Sequence, residues 1–325
     1  MLTKEELHGL VEERAANICA ITAVKDGQVV YEDFWNGYGP GDARNVMSVT
    51  KSVMSLLTGI AVDKGYIRSI EDKVLDYFPD YEPKRGEKTI RDVTIKHLLT
   101  MTAPYKGKSE PWKKICTSED WTKGALDILG GRQGITGEFR YSTLGIQILS
   151  GIIERASGMK TLEFANRYLF GPLGIPEVAD HGDSSKEDQM DYALNRAPRK
   201  REWYSDPTGC VTAGWGLSIT SSDMALIGQL CLEKGRDIVP ESWIKEMTIP
   251  RQKLGEMFGN NSYGYLWWIM NEEKGIYAAM GDGGNVIYVD PGKNITVGII
   301  SYFKPRIIDR VDFIEENIIP FIDRG

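Results

Sequence analysis

The chain has 325 residues, 42% of them hydrophobic, with 39 Lys and Arg against 46 Asp and Glu for a formal net charge of -7. That length suits one large domain or two intimately packed ones with a proper core, and the acidic balance excludes nucleic acid or an anionic membrane surface as the main partner. No run approaches the roughly 20 apolar residues of a membrane span.

Residues 1–14 make a charged amphipathic pattern, not a signal peptide, because the charges leave no continuous apolar stretch. The four cysteines, Cys19, Cys116, Cys210 and Cys231, are scattered without a C-x-x-C pair and read as free thiols, so a reducing cytoplasm is the expected location. Residues 18–24 and 28–34 read as strands joined at Asp26-Gly27, a strong hairpin signal. A glycine-rich loop at 37–41 then leads to a helix that opens on Ser48-Val49-Thr50-Lys51 and ends near Lys64.

From residue 68 the texture changes: 74–79, 95–101, 119–129, 143–157 and 161–170 read as helices between glycine and proline loops. Strand character returns at 263–270, 275–280, 285–290 and 295–302, and a last helix is expected over 306–321. Strands at both ends of the chain predict an α/β (α+β) fold, one antiparallel sheet flanked by helices with an all-helical region inserted. The expected domains are a discontinuous sheet domain, 1–67 and 206–325, and a helical domain, 68–205. The Ser48 helix would lie where they meet, the usual place for a cleft.

Residues three apart share a helix face, so the Ser48 hydroxyl and the Lys51 amine can meet. A serine becomes a nucleophile when a base takes its proton, and burial favours a neutral lysine. Val49, Val53, Leu56, Leu57 and Ile60 recur at helical spacing, which predicts that Lys51 is buried. The S-x-x-K pattern alone is weak, since it also occurs at Ser157 with Lys160, Ser242 with Lys245 and Ser301 with Lys304. Ser157 precedes a helix-ending glycine, Ser242 starts a surface helix, and Ser301 ends a strand, where positions three apart face opposite ways. The bland reading of Ser48 is a cap on a core helix.

Two companions bear on the choice. Tyr141-Ser142-Thr143 stands at a loop-helix junction, where Tyr141 either carries a proton or packs its ring inward. Gly281-Asp282-Gly283-Gly284-Asn285 lies between two strands and reads either as a hairpin or as backbone that a substrate can approach closely.

The order and spacing of an S-x-x-K helix, a Tyr-x-Asn-like triplet and a small-residue strand near the C-terminus resemble the serine β-lactamase and penicillin-binding-protein superfamily, in particular its class C-like esterase and peptidase branch. The resemblance covers nearly the whole chain and extends to 94–102, Gly171-Pro172-Leu173-Gly174-Ile175, Ala213-Gly214-Trp215-Gly216-Leu217-Ser218 and 263–268. It implies a serine hydrolase with Ser48 as acylated nucleophile, Lys51 as its proton acceptor and Tyr141 passing a proton to the leaving group or activating water. The backbone N–H groups of Ser48 and Asn285 would form the oxyanion hole. A small-molecule or peptide substrate is implied, with Thr143, Asp282, Gly283 and Gly284 on its binding side, and neither metal nor organic cofactor.

Thr143 stands where the family has Asn, and Asp282-Gly283-Gly284 where it has Lys-Thr-Gly or His-Thr-Gly. An aspartate repels a substrate carboxylate, so efficient β-lactam hydrolysis is not expected. Two readings of Asp282 stay open: it selects substrates bearing an amine or positive charge, or it raises the Lys51 pKa and weakens catalysis. The alternative function is a catalytically weak or inactive relative that binds a peptide or cell-wall fragment. An α/β-hydrolase triad is excluded by the absence of a G-x-S-x-G elbow and by histidines only at His8, His97 and His181. The acidic loop 180–191 lacks metal-ligand spacing, and Trp203, Trp215, Trp267 and Trp268 fit a cleft or a core.

Overall fold

The computed structural model describes residues 2–182 and 185–323. Helix α1 (Lys4–Arg14) starts on a reciprocal cap, in which Thr3 Oγ1 accepts from the Glu6 N–H while the Glu6 carboxylate accepts from the Thr3 N–H. Strands β1 (Ile18–Lys25) and β2 (Gln28–Phe34) form the expected hairpin. Asp26 and Gly27 both adopt positive φ there, as a turn matching the strand twist requires. After β3 (Arg44–Asn45) comes α2 (Val49–Asp63), buried from Val49 to Ala61.

Within 68–205 the structure is mainly helical, including α3 (Trp121–Ile128) and α4 (Gln147–Ser157), but it adds two short strands, β4 (Ala179–Asp180) and β5 (Glu202–Trp203). These join β3 and β6 (Leu217–Ile219) in a small sheet of order β3-β6-β5-β4, so the segment is not all-helical. The remaining strands are β7 (Gln252–Lys253), β8 (Ser262–Tyr263), β9 (Trp268–Asn271), β10 (Ile276–Gly281), β11 (Asn285–Asp290) and β12 (Ile295–Ser301). They complete an eight-stranded antiparallel sheet of order β2-β1-β12-β11-β10-β9-β8-β7.

Strand alternation sends side chains to both faces of this sheet. Ile295, Val297 and Ile299 pack with Leu7 and Val11 of α1 and with Phe313, Ile314 and Ile318 of the C-terminal helix. Ile287 and Ile300 face the opposite cluster, with Val53 and Leu56 of α2 and Met224 and Ile227 of α5 (Ser221–Leu232). Helix α2 touches β10 and β11 on one side and α4 on the other, which puts its N-terminus beside the end of β10.

Several boundaries differ from the sequence expectation. Residues 263–270 are two strands, because between them Leu266 turns to φ 60° and the Tyr265 and Leu266 N–H groups bond to the carbonyls of Met247 and Leu99, outside the sheet. Helix α4 starts at Gln147 and not at 143, since the backbone just before it is held by side-chain bonds described below. The last helix begins at Arg310, where Asp309 accepts from the Val311 and Asp312 N–H groups. Sequence periodicity missed α5, although Thr220 and Asp223 form a reciprocal cap at its start.

Candidate active site

Ser48 occupies the cap position of α2, yet its side chain makes no capping bond. The hydroxyl accepts instead from Lys51 Nζ at 2.8 Å. The turn before it is strained: Met47 has φ 52°, uncommon for a residue with a side chain, and is pinned by its N–H to Asn45 Oδ1 and by its carbonyl to Thr50. This removes the bland reading of Ser48 as a helix cap.

Lys51 is 1% exposed, and its amine also donates to the Gly214 carbonyl at 2.7 Å. Burial lowers its pKa from 10.5 to about 7, against the opposing pull of Asp282 and then Glu110. Desolvation therefore outweighs both carboxylates, and a substantial neutral fraction is present near pH 7. The Gly214 carbonyl is held in place by Gln147, whose amide accepts from the Ala213 N–H at 3.1 Å and donates to the Val211 carbonyl at 3.0 Å. A Cβ on Gly214 would collide with the backbone of Thr143, so the 211–216 loop and the 141–143 triplet lie in direct contact.

Lys51 Nζ lies 4.8 Å from the centre of the Tyr141 ring. Burial pushes the phenol pKa up, and contact with the Ser48 hydroxyl draws it partly back. Tyr141 neighbours Trp268 at 6.1 Å, Tyr263 at 6.4 Å and Phe139 at 6.5 Å between ring centres. Of the four tryptophans singled out in the sequence, Trp203 and Trp267 are core, whereas Trp268 borders this ring and Trp215 follows Gly214. The loop that carries Tyr141 is fixed by Glu110, whose carboxylate accepts from the Ser142 hydroxyl at 2.6 Å and the Leu144 N–H at 2.9 Å. The Ser142 hydroxyl in turn accepts from the Gly145 N–H at 2.9 Å.

The 281–285 turn closes the other side. A Cβ on Gly281 would strike the Val46 carbonyl and lie 3.1 Å from the Ser48 N, so only glycine lets β10 come this close to the Ser48 backbone. Asn285, the register partner of Gly281, is fully buried, and its side chain donates to the Asp282 carbonyl while accepting from the Ser301 N–H, both at 2.8 Å. Asp282 is exposed, and its carboxylate has no ion-pair partner among the described residues. Gly283 and Gly284 both take positive φ within the turn.

The structure thus brings Ser48, Lys51 and Tyr141 together, with the charge of Asp282 bearing on Lys51 and Tyr141, while Asn285 lies on β11 opposite Gly281, the residue that approaches the Ser48 backbone. Thr143 contributes backbone packing, while the Gly214 carbonyl and the Ser48 hydroxyl take the amine of Lys51. Glu110, Gly214 and Gln147 were not assigned from the sequence. Gly214 was visible inside a family-like phrase without apparent chemistry, and Glu110 lies in a loop whose shape no local pattern encodes.

The histidines are engaged elsewhere. His8 bonds Asp33, His97 bonds Thr94, and His181 lies between Asp188 and Glu202. Asp183 of the acidic loop lies outside the described residues. Among the described residues, no group of three or more His, Cys, Asp or Glu is placed to hold a metal ion, and no helix is long and apolar enough to cross a membrane.

Comparison with known proteins bears on the fold and the family. The 6-aminohexanoate-dimer hydrolase of Paenarthrobacter ureafaciens is 24% identical over 306 residues, covering 86% of this chain and 72% of that protein. Among solved structures, the octameric penicillin-binding protein homologue from Pyrococcus abyssi superposes with a TM-score of 0.75 at 23% identity, over 99% of this chain and 78% of that one. A D-stereospecific amidohydrolase from a Streptomyces species gives 0.70 at 15% identity, over 97% and 98%. These two likenesses show the fold. The Beta-lactamase family model matches residues 6–307, nearly the whole chain, and the chain belongs to that family.

Proposed function

We propose that the protein is a serine hydrolase that cleaves an ester or amide through an acyl-enzyme on Ser48. The observation that carries this reading is the 2.8 Å contact between the Ser48 hydroxyl and a lysine whose pKa burial brings to about 7. In the forward step neutral Lys51 takes the Ser48 proton as the oxygen attacks the substrate carbonyl carbon. Negative charge then develops on the carbonyl oxygen, toward the backbone N–H groups of Ser48 and Asn285. As the tetrahedral centre collapses, the bond to the leaving amine or alkoxide breaks, and Tyr141 delivers the proton that this group needs, resupplied from Lys51. Water, deprotonated along the same route, releases the acid and restores Ser48.

The hydrolase relatives support an ester or amide as the bond cleaved, and the names of two of them, an aminohexanoate-dimer hydrolase and an amidohydrolase, favour the amide. The charge of the site supports substrates with an amine or cationic end. Asp282 and Glu110 both bear on Lys51 and Tyr141, and the exposed Asp282 is free to meet a cation. A substrate carboxylate such as that of a β-lactam meets repulsion there. Incubation with a fluorophosphonate probe, followed by mass spectrometry, tests the reading. One adduct on Ser48, absent in Ser48→Ala, is expected; an unlabelled parent protein sinks it and favours a binding role.

A further inference from the structure

The turn that presents Asn285 is backed by a buried arginine on the last helix. Arg310 is 4% exposed, and a Cβ built on Gly284 would fall 2.5 Å from its Nε, so the guanidinium lies against the backbone at Gly284. One guanidinium nitrogen donates to Asn17 Oδ1, while Nε and the other terminal nitrogen have no partner, and no carboxylate forms an ion pair with it among the described residues. Asn17, itself 1% exposed, passes the contact on, because its amide donates to the Gly283 carbonyl at 2.7 Å and to the Tyr302 carbonyl at 2.8 Å.

The first four carbonyls of the same turn are all engaged. Gly281 accepts from the Gly284 N–H, Asp282 from the Asn285 amide, Gly283 from Asn17, and Gly284 from the Ser301 hydroxyl. A buried cation that feels the charge of Asp309 but makes no ion pair among the described residues is costly to hold. Its natural complement is negative charge that appears only during the reaction.

We infer that Arg310, seated through Asn17, is a positioning residue that biases the 281–285 turn toward an anionic transition state. This rests on the assignment of Ser48 as nucleophile and Asn285 as oxyanion donor. The guanidinium does not touch substrate; it acts through the peptide it lies against. Removing the charge therefore lowers kcat and leaves KM nearly unchanged, whereas a purely structural role lowers only the fraction of active protein.

The experiment compares Arg310→Gln, which keeps hydrogen bonding to Asn17 without charge, with Arg310→Lys, which keeps the charge. Active sites are counted from the endpoint of fluorophosphonate labelling at Ser48, and kcat is expressed per labelled site on one ester. Arg310→Gln is expected to lose about 10- to 100-fold in kcat, within the range of a lost oxyanion contribution, at a KM within about twofold of the parent, with most of the loss recovered in Arg310→Lys. Equal kcat in the two variants, whether at or below the parental value, overturns the inference. If Arg310→Gln does not fold, Asn17→Asp sets a carboxylate against the guanidinium and is expected to lower kcat likewise; an unchanged value overturns it. Absence of Ser48 labelling in the parent protein is a different result, and removes the serine reading on which the inference rests.

Discussion

Two S-x-x-K segments sit on helices in this molecule and share nothing else. At Ser48 the lysine is buried, bonds the serine hydroxyl and a backbone carbonyl, and has its pKa brought to about 7. At Ser242 both side chains are exposed, and the amine of Lys245 turns to Glu241 at 2.8 Å, a solvent-screened ion pair of the surface kind. The same four-residue spacing gives one buried, hydrogen-bonded pair and one ordinary helix surface. Spacing sets reach, but burial without a carboxylate at ion-pair distance sets how readily the amine is neutral.

The largest expected effect breaks this comparison at the proposed nucleophile. Ser48→Ala is expected to lower ester turnover by about 10^4-fold or more, the scale seen when a serine nucleophile is removed. Ser242→Ala stays within twofold of the parent. A steady-state assay of both variants against one ester decides it, and comparable losses in the two would refute the assignment.

Lys51→Met should cost about 10^3-fold for the same reason, and the parent's pH profile sharpens the point. The folded pKa of Lys51 is lowered, so the neutral base predominates above about pH 7 and is titrated away below it. The rate constant kcat/KM is therefore expected to climb with pH through about 7, and Lys245→Ala should leave that limb in place. A flat profile between pH 6 and 8 would remove Lys51 as the base.

A smaller effect concerns the backbone that the nucleophile leans on. Gly281→Ala forces a Cβ into the Val46 carbonyl beside the Ser48 N–H. Overpacking of this kind costs roughly 1 to 3 kcal/mol, so denaturant unfolding should show that loss, accompanied by a drop in kcat of about tenfold or more. Ala at Gly292, an exposed turn position whose nearest neighbour is 3.3 Å away, serves as the control.

These residues also show what the sequence made legible. The hairpin at Asp26-Gly27, the buried helix after Ser48 and the C-terminal strands follow from local chemistry, namely turn residues, 3.6-residue periodicity and β-branched runs. The triad candidates were found because S-x-x-K and the tyrosine triplet are local patterns whose order is informative. Glu110, Gln147 and Arg310 were not, since each acts across more than thirty residues of chain or from a different layer, and a glutamate before proline or an arginine opening a helix looks the same in countless harmless places. Helix α5 escaped because it is apolar nearly all round, with Met224, Ala225, Ile227, Leu230 and Cys231 buried, so no polar stripe revealed its period. Residues 263–270 misled in the opposite sense: their composition is that of one strand, and only tertiary bonds from Met247 and Leu99 break it.

The smallest effect separates the two roles open to Asp282. It is exposed and acts on Lys51 through its charge alone, raising a pKa that burial lowers further than Asp282 restores. In Asp282→Asn that support is lost, the Lys51 pKa falls further, and the acid limb of kcat/KM moves to lower pH. A neutral, acetylated substrate should then be turned over at least as fast below pH 7 as by the parent. A substrate with a free ammonium group loses its partner and should fall roughly fivefold, the scale of an exposed ion pair of about 1 kcal/mol. Opposite responses of the two substrates assign Asp282 to substrate selection, which the Ser242 segment, with its carboxylate already paired to lysine, has no means to perform. If both substrates gain equally, Asp282 acts on Lys51 only and the cationic-substrate proposal fails.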